Sequence, residues 1–416
     1  VRKSGEVQNI LLTRSQAHLL IYIDVITRQR YHYAMPNISP LVLTDYQVDP
    51  VRGFLPSQNP VQHLPSDFHP WEQTAANLSA LIIAGQLRKT IARLPVPDLK
   101  KLETEGQFRR AMLLLSIFGN AYVWGEAPPV KAIPHTLAVP WAQVAEHVGR
   151  PMIISHASVV LDNWRLLEEQ GPLVLENIGS LQLFLGGMDE AWFYLITVAL
   201  EARGAASLPV LASLQHAVET DRIEEVIGHL KSMATIIQDV SAALQRVYEK
   251  CAPYVFYHRV RPFLAGWDAP GMIYEGVSNT PVMLFGGSAA QSSLFQAIDA
   301  GLGIKHVDEK TRPFLMGMRH YMPPPHRRFI EALEAGPSVH QYVLNHQASS
   351  SALANQYNAC IDLLSAFRKQ HLEITVRYIK QQAQPDADAL GTGGTDFVPF
   401  LSEARKETQS KAIGDL

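Results

Sequence analysis

Cysteine is scarce. The 416 residues hold two, Cys251 and Cys360, which excludes a disulfide scaffold and a four-thiolate metal site. They lie far apart with no partnering motif and read as small buried residues. A charge excess of one sign is missing too: 36 Lys+Arg stand against 39 Asp+Glu, a formal net charge of −3. A protein that grips a nucleic-acid backbone normally carries a basic field, so nucleic acid is not an expected partner. Long hydrophobic runs are absent. LLIYIDVI (19–26) carries Asp24, and LSALIIAG (78–85) ends in glycine. Neither approaches the ~20 apolar residues of a membrane span. With no apolar leader followed by a small-residue cleavage site, the cytoplasm is the simplest address. HExxH, Cys–x–x–Cys, the nucleophile elbow and the full phosphate-loop spacing do not occur, which weakens hydrolase, metalloprotease and nucleotide-binding readings.

What is present is an ordinary globular composition, 47% hydrophobic and 18% charged. A chain of this length buries about three quarters of its surface and can hold an internal cavity. Residues 35–70 are proline-studded and read as a winding arm. Helical periodicity begins at Trp71 and recurs through FRRAMLLLSIFGNAYVWG (108–125), 141–149, 154–169, 188–206 and 219–250. Shorter helices are expected over 288–301, 311–321, 325–335 and 337–345, with a last long one over 350–382. The fold class is all-α, with a few short strands in loops. Residues 1–40 stand apart as an N-terminal extension, either an added helix or an arm that never packs.

The last long helix carries one continuous apolar stripe: Leu353, Tyr357, Cys360, Leu364, Phe367, His371, Ile374 and Tyr378 follow alternating steps of four and three. His371 therefore points inward. A core histidine bonded to a carbonyl explains this, and so does an axial ligand to haem iron. In FGGSAAQSS (285–293), Ser288 and Gln291 form a capping box that starts a helix, while Gly286 and Gly287 permit either a turn or close approach to a ligand. GTGGTD (391–396) is a linker or a loop able to open and close. FYHRVRPFLAGW (256–267) sets arginines among aromatics, an arrangement suited to a carboxylate on an apolar body or to plain packing.

Taken in order, FYHRVRPFLAGW, MIYEGV, GGSAAQSSLFQAIDAGLGI, MRHYMPPPHRRFIEALE, FRKQHLEITVRYI and GTGGTD resemble the indoleamine 2,3-dioxygenase family, as do AYVWGEAP and the AVP at 138–140. The similarity runs over roughly residues 45–410. It implies a smaller, mainly helical N-terminal domain (41–140) and a large helical catalytic domain (141–416) holding haem b. It also implies oxidative opening of the indole C2–C3 bond of L-tryptophan, or a related indoleamine, by O2 to give N-formylkynurenine.

By the same resemblance His371 is the proximal iron ligand, and Arg261 binds the substrate carboxylate. Phe256 and Phe193 wall the indole, and Thr392 belongs to the loop that closes over it. Gly287, Ser288 and Ala289 edge the haem, Ser288 in a catalytic position. Asp299 and Arg368 pair beside the haem. Two distal positions depart from the mammalian-type pattern, His156 standing for a tyrosine and Thr197 for a serine. The related tryptophan dioxygenases use a distal histidine near the indole nitrogen. The implied partners are a small-molecule indole and an external electron donor, and the implied state is a monomer. The rivals are a haem enzyme that mono-oxygenates tryptophan or acts on a modified indole, a non-enzymatic helical haem sensor, and a haem-free scaffold.

Overall fold

The computed structural model describes residues 41–384 and 390–414; the expected extension, residues 1–40, lies outside the described residues. The architecture is helical, as the periodicity predicts. Helix α1 (Glu105–Trp124) starts at a capping box, with the Thr104 hydroxyl accepting from the Gln107 N–H and the Gln107 side chain accepting from the Thr104 N–H. It is buried on almost every side, which is why its sequence is apolar all round. Helix α2 (His135–Val148) packs across it, and Gly149 ends α2 in the left-handed region at φ +65°. Gly119 of α1 makes the crossing possible. A Cβ there would come within 2.1 Å of the Trp141 ring of α2.

Helices α3 (Met188–Gly204), α4 (Ser207–Glu219) and α5 (Ile223–Gln245) follow, then α6 (Ser293–Leu302), α7 (Pro324–Ala335), α8 (Ser351–Thr375) and α9 (Phe397–Gln409). α5 lies among α3, α4 and α8. Its Val226, Leu230, Met233, Ile237, Val240 and Leu244 are buried as their spacing requires. The stripe of α8 is equally faithful: Leu353, Tyr357, Cys360 and Leu364 are all essentially inaccessible. The segment Met188–Glu219 is long and apolar enough to cross a membrane, but most of its apolar window is buried inside the fold. Its hydrophobicity belongs to the core.

Two expectations need correction. The helix predicted over 154–169 is a single π-helical turn, Ala157–Leu161, followed by strand β2 (Trp164–Leu166), which pairs antiparallel with β3 (Ile178–Ser180). The Asn163 side chain donates to the Gln182 carbonyl at 2.9 Å and accepts from the Gln182 N–H at 2.8 Å. That amide grip replaces the helical ladder and turns the chain out. Second, Ser288 does form its capping box, yet it caps the short 3-10 turn Ala289–Gln291, and α6 begins at Ser293. Strands β4 (Trp267–Tyr274) and β5 (Ser278–Leu284) make a bulged hairpin whose β4 also pairs parallel with the short first strand, β1 (Ala132–Ile133).

Candidate active site

A cavity of about 300 Å³ opens among α3, α5, α8 and the glycine turn at 286–288, and its wall is predominantly apolar. Every site residue singled out in the sequence lines it: His156, Phe193, Thr197, Phe256, Arg261, Gly287, Ser288, Ala289, Asp299, Arg368, His371 and Thr392. Three π-helical turns meet this wall: Ala157–Leu161, Phe256–Val260 and Val376–Lys380. The wider π turn matters most at the second. Its closing hydrogen bond runs from the Arg261 N–H to the Phe256 carbonyl, and five-residue spacing then falls nearer one face than in an α-helix. Phe256 and Arg261 thereby both reach the cavity.

His371 faces the cavity from α8, and its imidazole makes no hydrogen bond to the described residues. Burial pushes its pKa down to about 4, helped by the positive charge of Arg368. It is therefore a neutral base with a free lone pair at physiological pH. Across the cavity the Phe193 and Phe256 rings lie 4.5 Å apart, and Phe256 meets Tyr378 edge-on at 5.8 Å. Arg261 is largely buried, and desolvation lowers its pKa. Its Nε has no partner, while Nη2 donates to the Leu390 carbonyl.

The GTGGTD loop is folded back over the cavity. The Thr392 hydroxyl donates to the Gly287 carbonyl at 2.5 Å, and the Gly286 N–H donates to the Thr392 carbonyl at 3.1 Å. Gly286 approaches the protein's own chain, since a Cβ there would sit 2.0 Å from the Leu264 carbonyl oxygen. Thr197 lines the wall with its hydroxyl donating back to the Phe193 carbonyl at 3.0 Å.

Asp299 and Arg368 do pair, with Arg368 Nη2 at 2.5 and 2.7 Å from the two carboxylate oxygens. The pair is part of a longer chain that sequence reasoning missed. His306 Nε2 lies 3.2 Å from Asp299, and its Nδ1 lies 2.6 Å from Glu407 of α9. Also missed was Glu201, which holds His156 Nε2 at 2.9 Å and accepts the Ser292 hydroxyl at 2.7 Å. Its signal was available. Phe193, Thr197 and Glu201 are four residues apart on α3, hence on one face. His306 offered none, because it joins α6 and α9 through a loop.

A family model described as indoleamine 2,3-dioxygenase matches residues 42–411. Indoleamine 2,3-dioxygenase 2 of Mus musculus is 35% identical over 393 residues, spanning 90% of this chain and 96% of that protein. Indoleamine 2,3-dioxygenase of Saccharomyces cerevisiae is 33% identical over 428 residues, spanning 89% and 94%. A 6-hydroxytryptophan 2,3-dioxygenase of Fusarium equiseti is 32% identical over 390 residues, spanning 87% and 96%.

Proposed function

Since the chain belongs to the indoleamine 2,3-dioxygenase family and is an enzyme of that kind, we propose that it opens the indole C2–C3 bond of L-tryptophan with O2, giving N-formylkynurenine, and that haem b is its cofactor. The observation that carries this reading is the pairing of a neutral, unpartnered imidazole, His371, with Arg261 in one apolar cavity. The donor set fits haem. No group of three or more His, Cys, Asp or Glu among the described residues could hold a metal. A porphyrin brings four nitrogens of its own and, to hold its iron, would need one further base from the protein, which His371 is free to be. When bound, the haem iron supplies the activation of dioxygen that no side chain here could supply.

The protein's part is position. Arg261 takes the substrate carboxylate in a bidentate grip, exchanging its neutral carbonyl partner for a charged one. Phe193 and Phe256, packed against each other, form one aromatic wall on which the indole lies, and so fix which face is presented. Thr392 keeps the loop closed on Gly287 and excludes water. Ser288 and Ala289 border the cofactor edge, and Thr197 fills the distal wall. Arg368, neutralised by Asp299, sets the charge behind His371. In this reading residues 41–140 form a smaller N-terminal part and 141–416 the catalytic part, which contains every cavity-lining residue. The working form is cytoplasmic and monomeric, with an external electron donor keeping the cofactor reduced.

A second reading has one observation in its favour. The distal corner of His156, Glu201 and Ser292 is polar, and a relative of similar identity is named for a hydroxylated tryptophan. A ring-modified indole is then the substrate. The test is anaerobic reduction of haem-loaded protein, addition of L-tryptophan and O2, and mass analysis of the product. A gain of two oxygen atoms is expected. A gain of one means mono-oxygenation. A normal haem spectrum without product shifts the substrate to a modified indole, and absence of a haem spectrum sinks the cofactor.

A further inference from the structure

We infer that Glu201 is a positioning residue that fixes the tautomer of His156, leaving Nδ1 as a hydrogen-bond acceptor and making the pocket select indoles with a free ring N–H. The inference rests on the proposed function and adds to it the chemistry by which substrate is chosen. His156, Glu201 and Ser292 are 4%, 2% and 2% exposed. Glu201 Oε1 receives the Ser292 hydroxyl at 2.7 Å and faces His156 Nε2 at 2.9 Å. Glu201 Oε1 already receives the Ser292 hydroxyl and so meets the ring as an acceptor, and the inferred tautomer carries its one proton on Nε2. The second nitrogen, Nδ1, then carries a lone pair and has no partner among the described residues.

The backbone is fixed as well. The His156 N–H donates to Gln291 Oε1 at 2.9 Å, and Gln291 Nε2 donates to the Gly286 carbonyl at 2.8 Å. His156 is therefore held at backbone and ring, and cannot easily turn to present the other nitrogen. It lines the cavity together with Phe193 and Phe256. A buried acceptor in an apolar wall is costly unless a donor reaches it. The indole N–H is the one donor a tryptophan ring carries. An N-methylated indole removes that donor and leaves Nδ1 unsatisfied, which raises the penalty beyond the loss of one contact.

The experiment measures spectral Kd, KM and kcat for L-tryptophan and 1-methyl-L-tryptophan on haem-loaded wild type, E201L, E201Q and H156F. Wild type is expected to favour L-tryptophan by about tenfold or more in Kd. E201L raises Kd and KM for L-tryptophan about tenfold, leaves 1-methyl-L-tryptophan almost unchanged, and so erases the preference. E201Q, which can still accept from Nε2–H, retains it. H156F erases it, and E201L adds nothing further in the H156F background. Persistence of the preference in E201L or in H156F overturns the inference, and the H156F arm decides should E201L fail to fold. A wild-type protein that neither binds nor oxidises L-tryptophan overturns the functional reading and this inference together. One that does both, while its variants keep the preference, overturns this inference alone.

Discussion

Replacing His371 by alanine removes the one unpartnered neutral imidazole that faces the cavity from α8. The expected outcome is loss of the haem Soret band after haem-replete expression, with far-UV circular dichroism unchanged. Replacing Arg261 by alanine is a different kind of loss. The haem spectrum should persist while KM for L-tryptophan rises about ten- to a hundredfold, the range expected for a charge-assisted hydrogen bond. Steady-state kinetics with a parallel spectrum separates the two effects. At this scale the stripe pointed to His371 and the motifs to the segments holding Arg261, Ser288 and Thr392, while His156, Phe193, Thr197, Asp299 and Arg368 came from the family resemblance; all of them line one cavity. What escaped was Glu201 and His306. The face of Glu201 was readable from its spacing after Phe193 and Thr197, but its contact with residue 156 was not, and His306 gains its importance from a contact with α9 that a single sequence does not record.

At the scale of elements, helix geometry decides which side chains meet. Gly119 shows how little room there is between α1 and α2. Gly119→Ala places a methyl group against the Trp141 ring and should destabilise the protein by about 1–3 kcal/mol, measured as a shift in denaturant midpoint. The attachment of α9 gives a pH-dependent prediction. Burial opposes a charge on His306, but its hydrogen bond to Asp299 and the attraction of that carboxylate outweigh this, with Glu407 adding to them, so its pKa is raised despite Arg368 nearby. A raised folded-state pKa means stability that is fully present below the unfolded value and is lost as pH rises through the folded one. Asp299 and Glu407 have lowered pKa values, so their contribution fades only in acid. Thermal stability should therefore decline above about pH 6.5, and His306→Gln should flatten that decline in a melting series across pH. The π turns were the part of this level that periodicity could not reveal. A pattern of threes and fours looks helical whether or not one turn takes an extra residue, and the strand at 164–166 was hidden by the same ambiguity.

At the scale of the whole molecule, the helical class followed from the spacing of apolar residues, and the order of the long helices was readable because each buries a broad face. The β4–β5 hairpin and helix α9 were not. The hairpin is held by long-range pairing to residues 132–133, and α9 by the His306–Glu407 contact and the face it turns toward α8. The chain also brings together two segments 129 residues apart, where the Arg261 guanidinium donates to the Leu390 carbonyl. In the proposed role of Arg261, binding is an exchange reaction: an incoming carboxylate displaces a placeholder already on the arginine. Affinity then measures the difference between two partners of one donor. Tryptamine, identical in its ring but lacking the acid, has nothing to offer in that exchange. It should bind at least about tenfold more weakly than L-tryptophan, which a competition titration would read directly. In that reading, the protein's own chain acts as a competitor at this end of the substrate.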